Sequence, residues 1–170
     1  VNTNGTVYYF YAFKSSNVVK IGTYTGNGAA NRNIVSTGSA NTKFVIIVPQ
    51  STYGGSVWYT HNNTAAGYSY DDGSPTSHWD SPAPVTPPTT GFSTVSGADP
   101  RTNVNLIVYH YIGFVEVAGE CEVNAYTGNG TNGRALTGLG LKPYFTLSTG
   151  GSTAILARSR SLTGDATQYF

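Results

Sequence analysis

One pentapeptide occurs twice in this chain, and this repeat constrains the fold more than any other feature of the sequence. Tyr-Thr-Gly-Asn-Gly begins at Tyr24 and again at Tyr126, 102 positions later. In both copies an arginine follows the second glycine at the same interval. Self-similarity at a fixed interval is the sequence signature of repeated structural units. The chain is therefore predicted to contain two copies of one unit.

The repeated pentapeptide has the composition of a strand that ends in a tight turn. Glycine and asparagine adopt positive φ at little cost, and Asn-Gly is a strong hairpin signal. The following arginine can hold the turn by donating to loop carbonyls or to a carboxylate. An anion or sugar site is the alternative interpretation. The repeated positions are Tyr24, Gly26, Asn27, Gly28 and Arg32, and then Tyr126, Gly128, Asn129, Gly130 and Arg134.

The composition predicts an all-β protein with almost no helix. Aromatic residues make up 13% of the chain, led by 13 tyrosines, and 21 glycines supply turns. Charged residues are only 10% and the net charge is +1, so the sequence lacks the basic face of a nucleic-acid-binding protein. No apolar run approaches the length of about 18 residues needed to span a bilayer. We therefore expect no nucleic-acid partner and no membrane span.

Apolar runs with strand character predict most of the sheet. They cover residues 6–14, 18–25, 32–35, 43–48, 56–61, 68–70, 91–95, 105–117, 142–147 and 152–160. The run at 43–48 is continuously apolar and predicts a central strand covered on both faces. Residues 71–90 contain five of the eight prolines. This insertion is predicted to be a loop or an extended crossing, with a second interpretation as an arm over a neighbouring subunit.

The boundaries of the repeated units do not coincide with the first and last residues of this sequence. Residues 1–19 match the end of a unit, 20–119 form a complete unit that contains the 71–90 insertion, and 120–170 match the first half of another. Residues 4–15 resemble the strand that starts at Asn105. A half sandwich exposes a strand edge that templates pairing with another chain.

This phase leads to an assembly hypothesis. Residues 1–14 of one chain would complete the sheet begun by residues 120–170 of another, which propagates head to tail as a filament. Alternatively, the chain is a window cut from a longer tandem array. The predicted assembly strand consists of Val7, Tyr8, Tyr9, Phe10, Tyr11 and Phe13.

The repeated turn and its surroundings resemble a family of tandem β-sandwich repeats in environmental bacterial and phage surface and fibre proteins. The matching segments are 1–13, 20–28, 91–95, 126–134, 138–143 and 158–165. The first unit departs from the family pattern, since Ser39-Ala40-Asn41-Thr42 stands where Gly-Phe-x-Pro is expected. The resemblance implies tandem antiparallel, lectin-like jelly-roll sandwiches in an extracellular fibre. It carries no catalytic residues.

Few residues suggest chemistry. Asp71, Asp72, His78, Trp79 and Asp80 form the one cluster of interest, in which the adjacent carboxylates of Asp71 and Asp72 could hold Ca²⁺, but Asp-Asp-Gly is equally an ordinary turn, and no metal or other cofactor is expected. No nucleophile motif or carboxylate pair indicates an enzyme. The single cysteine, Cys121, is expected to be a buried small residue at the junction of the units.

Two sugar-related interpretations remain open. Trp79 with Tyr68 and Tyr70 could form an aromatic platform that stacks on sugar rings, although such residues more often pack in a core. Asn4, Asn62 and Asn129 are formal N-glycosylation acceptors. The sequence thus predicts a non-enzymatic structural subunit of an extracellular or surface filament, with a carbohydrate-binding adhesion module as the alternative.

Overall fold

The described part of the protein is built from β-strands alone. The computed structural model describes residues 4–5, 10–34, 42–50, 55–60, 68–71, 78–80, 85–86, 91–94, 99–131, 134–150, 153–159 and 168–169. Within these residues there is no helix, and every strand pair is antiparallel. The prediction of an all-β fold is confirmed for this part. It contains no helix long and apolar enough to cross a membrane.

Twelve described strands form three sheets. They are β1 (Val19–Thr25), β2 (Arg32–Ile34), β3 (Thr42–Pro49), β4 (Ser56–Thr60), β5 (Tyr68–Asp71), β6 (His78–Asp80), β7 (Val85–Thr86), β8 (Phe92–Thr94), β9 (Val108–Val115), β10 (Phe145–Gly150), β11 (Thr153–Ser159) and β12 (Gln168–Tyr169). The six-stranded sheet has the order β1-β9-β3-β4-β5-β6. The two three-stranded sheets have the orders β2-β8-β7 and β10-β11-β12.

Strand β3 lies between β9 and β4, as its continuous apolar run predicts. Val45 and Ile47 are buried on one face, and Phe44 is buried as well, whereas Val48 is exposed. The prediction that both faces are covered therefore holds only for part of the strand. Bulky β-branched residues favour such a pleated central position because they pack against cross-strand neighbours.

Among the described residues, one hydrophobic cluster joins side chains of the six-stranded sheet with side chains of the β2-β8-β7 sheet. Ile34 on β2 and Phe92 on β8 supply one side of this cluster. The Phe92 ring lies 5.3 Å from Tyr111 and 6.0 Å from Tyr24. The remaining members are Val45, Ile47, Val57, Tyr59 and Tyr109. Each fully buried apolar side chain of this size contributes about 1.5–3 kcal/mol of transfer free energy, so this cluster is a major source of stability for the two sheets it joins.

The β10-β11-β12 sheet resembles the β3-β4-β5 part of the large sheet. In both, three strands are joined consecutively in antiparallel order. Val57 on β4 pairs with Tyr70 on β5, and Leu156 on β11 pairs with Tyr169 on β12. The strands differ in their other neighbours. Strand β3 also pairs with β9, whereas β10 pairs only with β11 among the strands that the structure describes.

Two sequence expectations differ from the structure. The 71–90 insertion, expected to be a loop or extended crossing, contains β6 and β7. Neither of these short strands includes a proline, in keeping with the scarcity of proline within sheets. Residues 10–14 of the predicted 6–14 strand belong to no strand, and Val7, Tyr8 and Tyr9 lie outside the described residues.

Candidate functional site

The first copy of the repeated turn, residues 24–32, is held by its own side chains, and we call it turn 1. Arg32 donates from Nη1 to the carbonyl oxygen of Thr25, and its guanidinium lies 5.5 Å from the centre of the Tyr24 ring. The Asn27 side-chain oxygen accepts a hydrogen bond of 3.0 Å from the Ala29 backbone N–H. Because these contacts are local, the turn is specified by its own sequence.

The second copy, residues 126–134, repeats these contacts, and we call it turn 2. Arg134 donates to the carbonyl oxygen of Thr127, and its guanidinium lies 5.5 Å from the centre of the Tyr126 ring. Asn129 accepts from the Thr131 backbone N–H at 3.1 Å. The glycine after the asparagine has φ of +69° in turn 1 and +72° in turn 2. The two turns therefore share one local geometry.

Turn 1 packs against residues 99–107, which we call the anchor segment. Its central residue is Asn103, whose side chain is fully buried. Asn103 Nδ2 donates to the carbonyl oxygen of Ala29 at 2.7 Å and to Asn27 Oδ1 at 3.2 Å, and Asn103 Oδ1 accepts from the Asn27 N–H at 3.2 Å. The Asn103 carbonyl accepts from the Gly28 N–H at 3.0 Å. One asparagine thus binds both sides of the turn.

The main chain of the anchor segment also comes unusually close to turn 1. The Gly26 N–H donates to the Ile107 carbonyl at 2.7 Å, and the Leu106 N–H donates to the Gly26 carbonyl at 3.0 Å. A Cβ atom on Gly26 would overlap the carbonyl oxygen of Val104. Because the obstacle is backbone, only glycine allows this approach.

The anchor segment is itself a compact loop. The Asp99 carboxylate accepts from the Arg101 backbone N–H at 2.8 Å and from its guanidinium at 3.0 and 3.1 Å. The Asp99 carbonyl accepts from the N–H groups of Thr102 and Asn103, at 3.1 and 3.0 Å. These bonds fix the position from which Asn103 reaches turn 1.

Two tyrosines tie the anchor segment to the sheet. The Tyr24 hydroxyl donates to the Thr102 carbonyl at 2.6 Å. The Tyr109 hydroxyl donates to the Pro100 carbonyl at 3.0 Å and accepts from the Val104 N–H at 2.9 Å. Burial raises the pKa of both phenols above their usual value of about 10. Both therefore remain neutral donors at ordinary pH.

Turn 2 has the same local geometry, but its tyrosine and first glycine are exposed, whereas Tyr24 and Gly26 of turn 1 are buried. Tyr126 has 58% of its surface exposed, against 8% for Tyr24. A Cβ atom on Gly128 would meet no atom within 4 Å. Within the described ranges, no residue occupies beside Asn129 the position that Asn103 occupies in turn 1. The second copy thus presents an unfilled version of the first interface.

Two aromatic residues near the start of the chain, Tyr11 and Phe13, lie against β10. Phe10 is 85% exposed. The Tyr11 ring lies 4.5 Å from the ring of Phe145 on β10, and the Phe13 ring lies 6.0 Å from Phe145 and 5.5 Å from Phe114 on β9. The contacts between this segment and β10 are therefore ring contacts, without a strand ladder over residues 10–14.

The strand register separates the residues of the predicted sugar platform. Trp79 on β6 pairs with Ser69, whereas Tyr68 and Tyr70 occupy the positions before and after Ser69 on β5. Cross-strand partners share a face of a sheet, and successive residues alternate between faces. Trp79 therefore does not share a register face with the two tyrosines. The sugar-platform interpretation stays a prediction without support from this register.

The candidate glycosylation sites lie in different surroundings. Asn4 and Asn129 are exposed, and Asn62 lies outside the described residues. The Asn129 side chain already accepts the Thr131 N–H within turn 2. A glycan at Asn129 would cover the surface of turn 2 that corresponds to the surface of turn 1 bound by Asn103.

No candidate metal centre is found in the part of the chain that the structure describes, since no three His, Cys, Asp or Glu side chains come together there. The half-buried Cys121 closes a small turn in which the N–H and C=O groups of Val117 and Cys121 bond each other at 2.9 Å. Burial and the nearby Glu116 raise the pKa of its thiol. The Cys121 thiol is thus neutral and poorly nucleophilic near pH 7.

Sequence reasoning missed Asn103 and the anchor segment. Asn103 lies 76 positions from its partner Asn27, so no local pattern connects the two. The signal that could have identified Asn103 is the similarity between two segments of the chain itself. When the observed similarity between residues 4–15 and the strand after Asn105 is extended backwards, Asn2 aligns with Asn103. No family model matches this chain, and comparison with curated proteins and with solved structures gave no significant match.

Proposed function

We propose that this chain is a non-enzymatic structural subunit of an extracellular filament, such as a fibre or pilus-like appendage of a cell or virion surface. Identical subunits join head to tail by strand complementation. In this arrangement, residues 1–14 of one subunit add a strand to the β10-β11-β12 sheet of the next. We propose that the fold of such a subunit is a tandem array of jelly-roll-like sandwiches.

The observation that carries the proposal is the difference between the neighbours of β3 and β10. Strand β3 is bonded on one edge to β4 and on the other to β9. Strand β10 is bonded to β11, and none of the described strands occupies its other edge. An unpaired strand edge is a template for a strand from another chain. The missing partner of β10 corresponds to β9.

The described end of the segment that resembles β9 contacts β10 through Tyr11 and Phe13. Residues 1–14 align with residues 102–115, which places Phe13 on Phe114. The ring centres of Phe114 and Phe44, on β3, are 5.6 Å apart, and those of Phe13 and Phe145, on β10, are 6.0 Å apart. The same aromatic pairing thus occurs in both units. In the single chain, however, residues 10–14 form no ladder with β10.

Two further observations support repeated sandwiches. The equivalent pairs Val57–Tyr70 and Leu156–Tyr169 give the two hairpin sets a common pattern. Ile34 and Phe92 pack from the β2-β8-β7 sheet onto the large sheet in one buried cluster. Such a cluster between two sheets is the core arrangement of a sandwich.

The contact we propose is heterologous, because the donor segment and the acceptor edge are different surfaces. Heterologous contacts that do not close into a ring generate open filaments. A strand ladder of about seven residues together with buried aromatic rings supplies the affinity, since each ring buries roughly 150–250 Å². The proposal therefore needs no cofactor and no second type of subunit.

The decisive experiment is electron microscopy with helical averaging of the purified chain, beside a chain that begins at Ser15. The full chain should form ordered filaments in which residues 1–14 lie in the sheet of a neighbour. The shortened chain retains β1 and the core of the complete unit, so it should remain folded and dispersed. Adding a peptide of residues 1–14 should cap its open edge without restoring filaments.

The control is a full-length chain with Lys14→Ala, which changes the end of the donor segment without removing an aromatic ring. It should assemble as the unmodified chain does. Filaments of normal length and abundance from the chain that begins at Ser15 would contradict the proposal. Monodisperse full-length chains at every concentration would also contradict it, and would favour a sugar-binding repeat.

A further inference from the structure

We propose that turn 2 is a docking site for residues 1–6 of a second copy of this chain, with Asn2 of that copy in the role that Asn103 has at turn 1. This inference rests on the filament proposed above and specifies its contact. Strand addition to β10 would bring the preceding residues of the donor alongside residues 126–134. The docking partner is thus a named segment of the same protein.

The acceptor groups of turn 1 are all present in turn 2. The anchor segment bonds turn 1 through the main chain of Gly26, Gly28 and Ala29 and through both the side chain and N–H of Asn27. None of these bonds needs a side chain that differs between the copies. The corresponding positions are Gly128, Asn129, Gly130 and Thr131. Because the two turns share one geometry, turn 2 offers the same donors and acceptors.

The donor segment has the features that the anchor segment uses. Residues 1–14 and 102–115 are identical at Asn2, Asn4, Val7, Tyr8 and Phe13 when shifted by 101 positions. Gly5 has φ of +78°, and Leu106 at the equivalent position has φ of +66°. A positive φ is rare for leucine. Its occurrence at equivalent positions of both segments therefore indicates that the two backbones follow the same path.

A second copy is favoured because the single chain leaves this surface open. Tyr126 is 58% exposed and Gly128 is exposed, and no other segment in the described part of the chain covers them. The equivalent Tyr24 is covered by the anchor segment, which bonds its hydroxyl through Thr102. Covering turn 2 in the same way requires a segment like the anchor segment, which a second copy of the chain can supply through its residues 1–6.

Glycine at position 128 provides a sharp test. In turn 1 the carbonyl of Val104 approaches Gly26 too closely for any Cβ atom, and Thr3 is the donor residue that corresponds to Val104. In the isolated chain a Cβ atom on Gly128 meets nothing within 4 Å, and Gly128 does not have positive φ. Gly128→Ala should therefore leave the single chain intact and exclude only the docked donor.

The experiment compares Gly128→Ala with Gly140→Ala, whose added Cβ would meet only Glu122 Oε2 at an ordinary 3.8 Å. Urea unfolding of dilute chains should give equal midpoints for both variants and the unmodified chain. Sedimentation and electron microscopy should show that Gly128→Ala raises the critical concentration for assembly at least about tenfold, since a backbone overlap cannot be relieved by rotation. Gly140→Ala should assemble normally.

Asn2 is tested in the same assay. Asn2→Ala and Asn2→Asp should each weaken assembly, because neither can donate to the Thr131 carbonyl. Asn4→Ala, at the position equivalent to the exposed Asn105, should have little effect. The matching readout in dilute chains is hydrogen exchange of the Gly128 and Gly130 amides, which should be fast before assembly and slow within filaments.

The outcomes separate this inference from the proposed function. Filaments that form equally well from Gly128→Ala would overturn the docking of residues 1–6 on turn 2 and leave strand complementation standing. If full-length chains never assemble, the function is wrong, and binding of a 1–14 peptide to the Ser15 chain, lost in Gly128→Ala, would still support the docking site. Slow exchange of the Gly128 amide in dilute monomers would overturn docking between copies and indicate docking within one chain.

Discussion

The rings of Tyr24 and Tyr109 stack across β1 and β9, with centroids 5.2 Å apart and planes inclined by 17°. The two residues are direct cross-strand partners. Such aromatic pairs contribute about 0.5–1.5 kcal/mol beyond their buried area. Because both hydroxyls bond to the anchor segment, the stack joins the sheet to the loop that holds turn 1.

The stacked tyrosines should make the protein sensitive to alkali. Burial raises the pKa of Tyr24 and Tyr109 in the folded state, whereas in the unfolded chain both titrate near 10. As the pH rises through about 10, the unfolded chain releases protons that the folded chain retains, so the free energy of unfolding falls. Urea unfolding between pH 8 and 11 should show this loss, with no comparable change between pH 6 and 8 from these groups.

The control for alkali sensitivity is Tyr24→Phe. This variant should be less stable at pH 7 by about 1–3 kcal/mol, because it leaves the buried Thr102 carbonyl without its donor. Its stability should nevertheless depend less steeply on pH above 10. An unchanged slope would show that Tyr24 does not contribute to the alkaline transition.

Asn103 should be among the most sensitive polar positions. Asn103→Ala removes three side-chain hydrogen bonds to turn 1, each worth about 0.5–1.5 kcal/mol, and empties a fully buried position, so we expect a loss of about 2–4 kcal/mol. Asn103→Asp keeps the shape but loses both N–H donors and places an acceptor against the Ala29 carbonyl. Thermal and urea unfolding measure both changes.

The matched control is Asn105→Ala, two positions along the same segment and exposed. It should change the free energy of unfolding by less than about 0.5 kcal/mol, as surface substitutions usually do. Equal losses at Asn103 and Asn105 would contradict the role assigned to the buried amide.

Gly26→Ala should destabilise the single chain, unlike the equivalent change at Gly128. The added methyl group overlaps the backbone at Val104, so the anchor segment must move and its bonds to turn 1 weaken. We expect a loss of at least about 2 kcal/mol, in the range of overpacking in a rigid site. The measurement is urea unfolding of dilute chains. A stability equal to that of the unmodified chain would mean that the close approach can relax freely.

Cys121 should react slowly with thiol reagents. Burial and the charge of Glu116 raise the pKa of its thiol, so the thiolate fraction at pH 8 is below that of free cysteine. The rate of reaction with a disulfide reagent should be lower than that of a small thiol by about tenfold or more. Glu116→Gln removes the charge and should increase the rate, whereas Glu120→Gln serves as the nearby control.

Much of the fold was accessible from local sequence patterns. The apolar runs predicted β3 and β9 to within a few residues, because strands with bulky residues have a signal as long as the strand itself. The short strands β6 and β7 were missed. Their two or three residues lie among prolines, and strands this short leave too few residues for an alternating pattern to be recognised.

In the candidate site, too, features set by local sequence could be predicted and features set by distant contacts could not. In both turns the arginine donates to a loop carbonyl, but only turn 1 follows a strand as predicted, since residues 122–130 belong to no strand. The packing of turn 1 on the anchor segment depends on Asn103, 76 positions from Asn27, and no sequence periodicity predicts such a contact. Only the internal comparison between the two units reveals that the same turn is filled once and open once.

The open second turn has a consequence for growth. In the filament that we propose, one terminus carries a free donor strand and the other carries a free acceptor, so the polymer is polar and its two termini extend by different reactions. A chain with Gly128→Ala would still donate its own residues 1–14, but it would accept no successor. Small amounts of this variant mixed with unmodified chains should therefore terminate elongation at one end and shorten filaments in proportion to the dose.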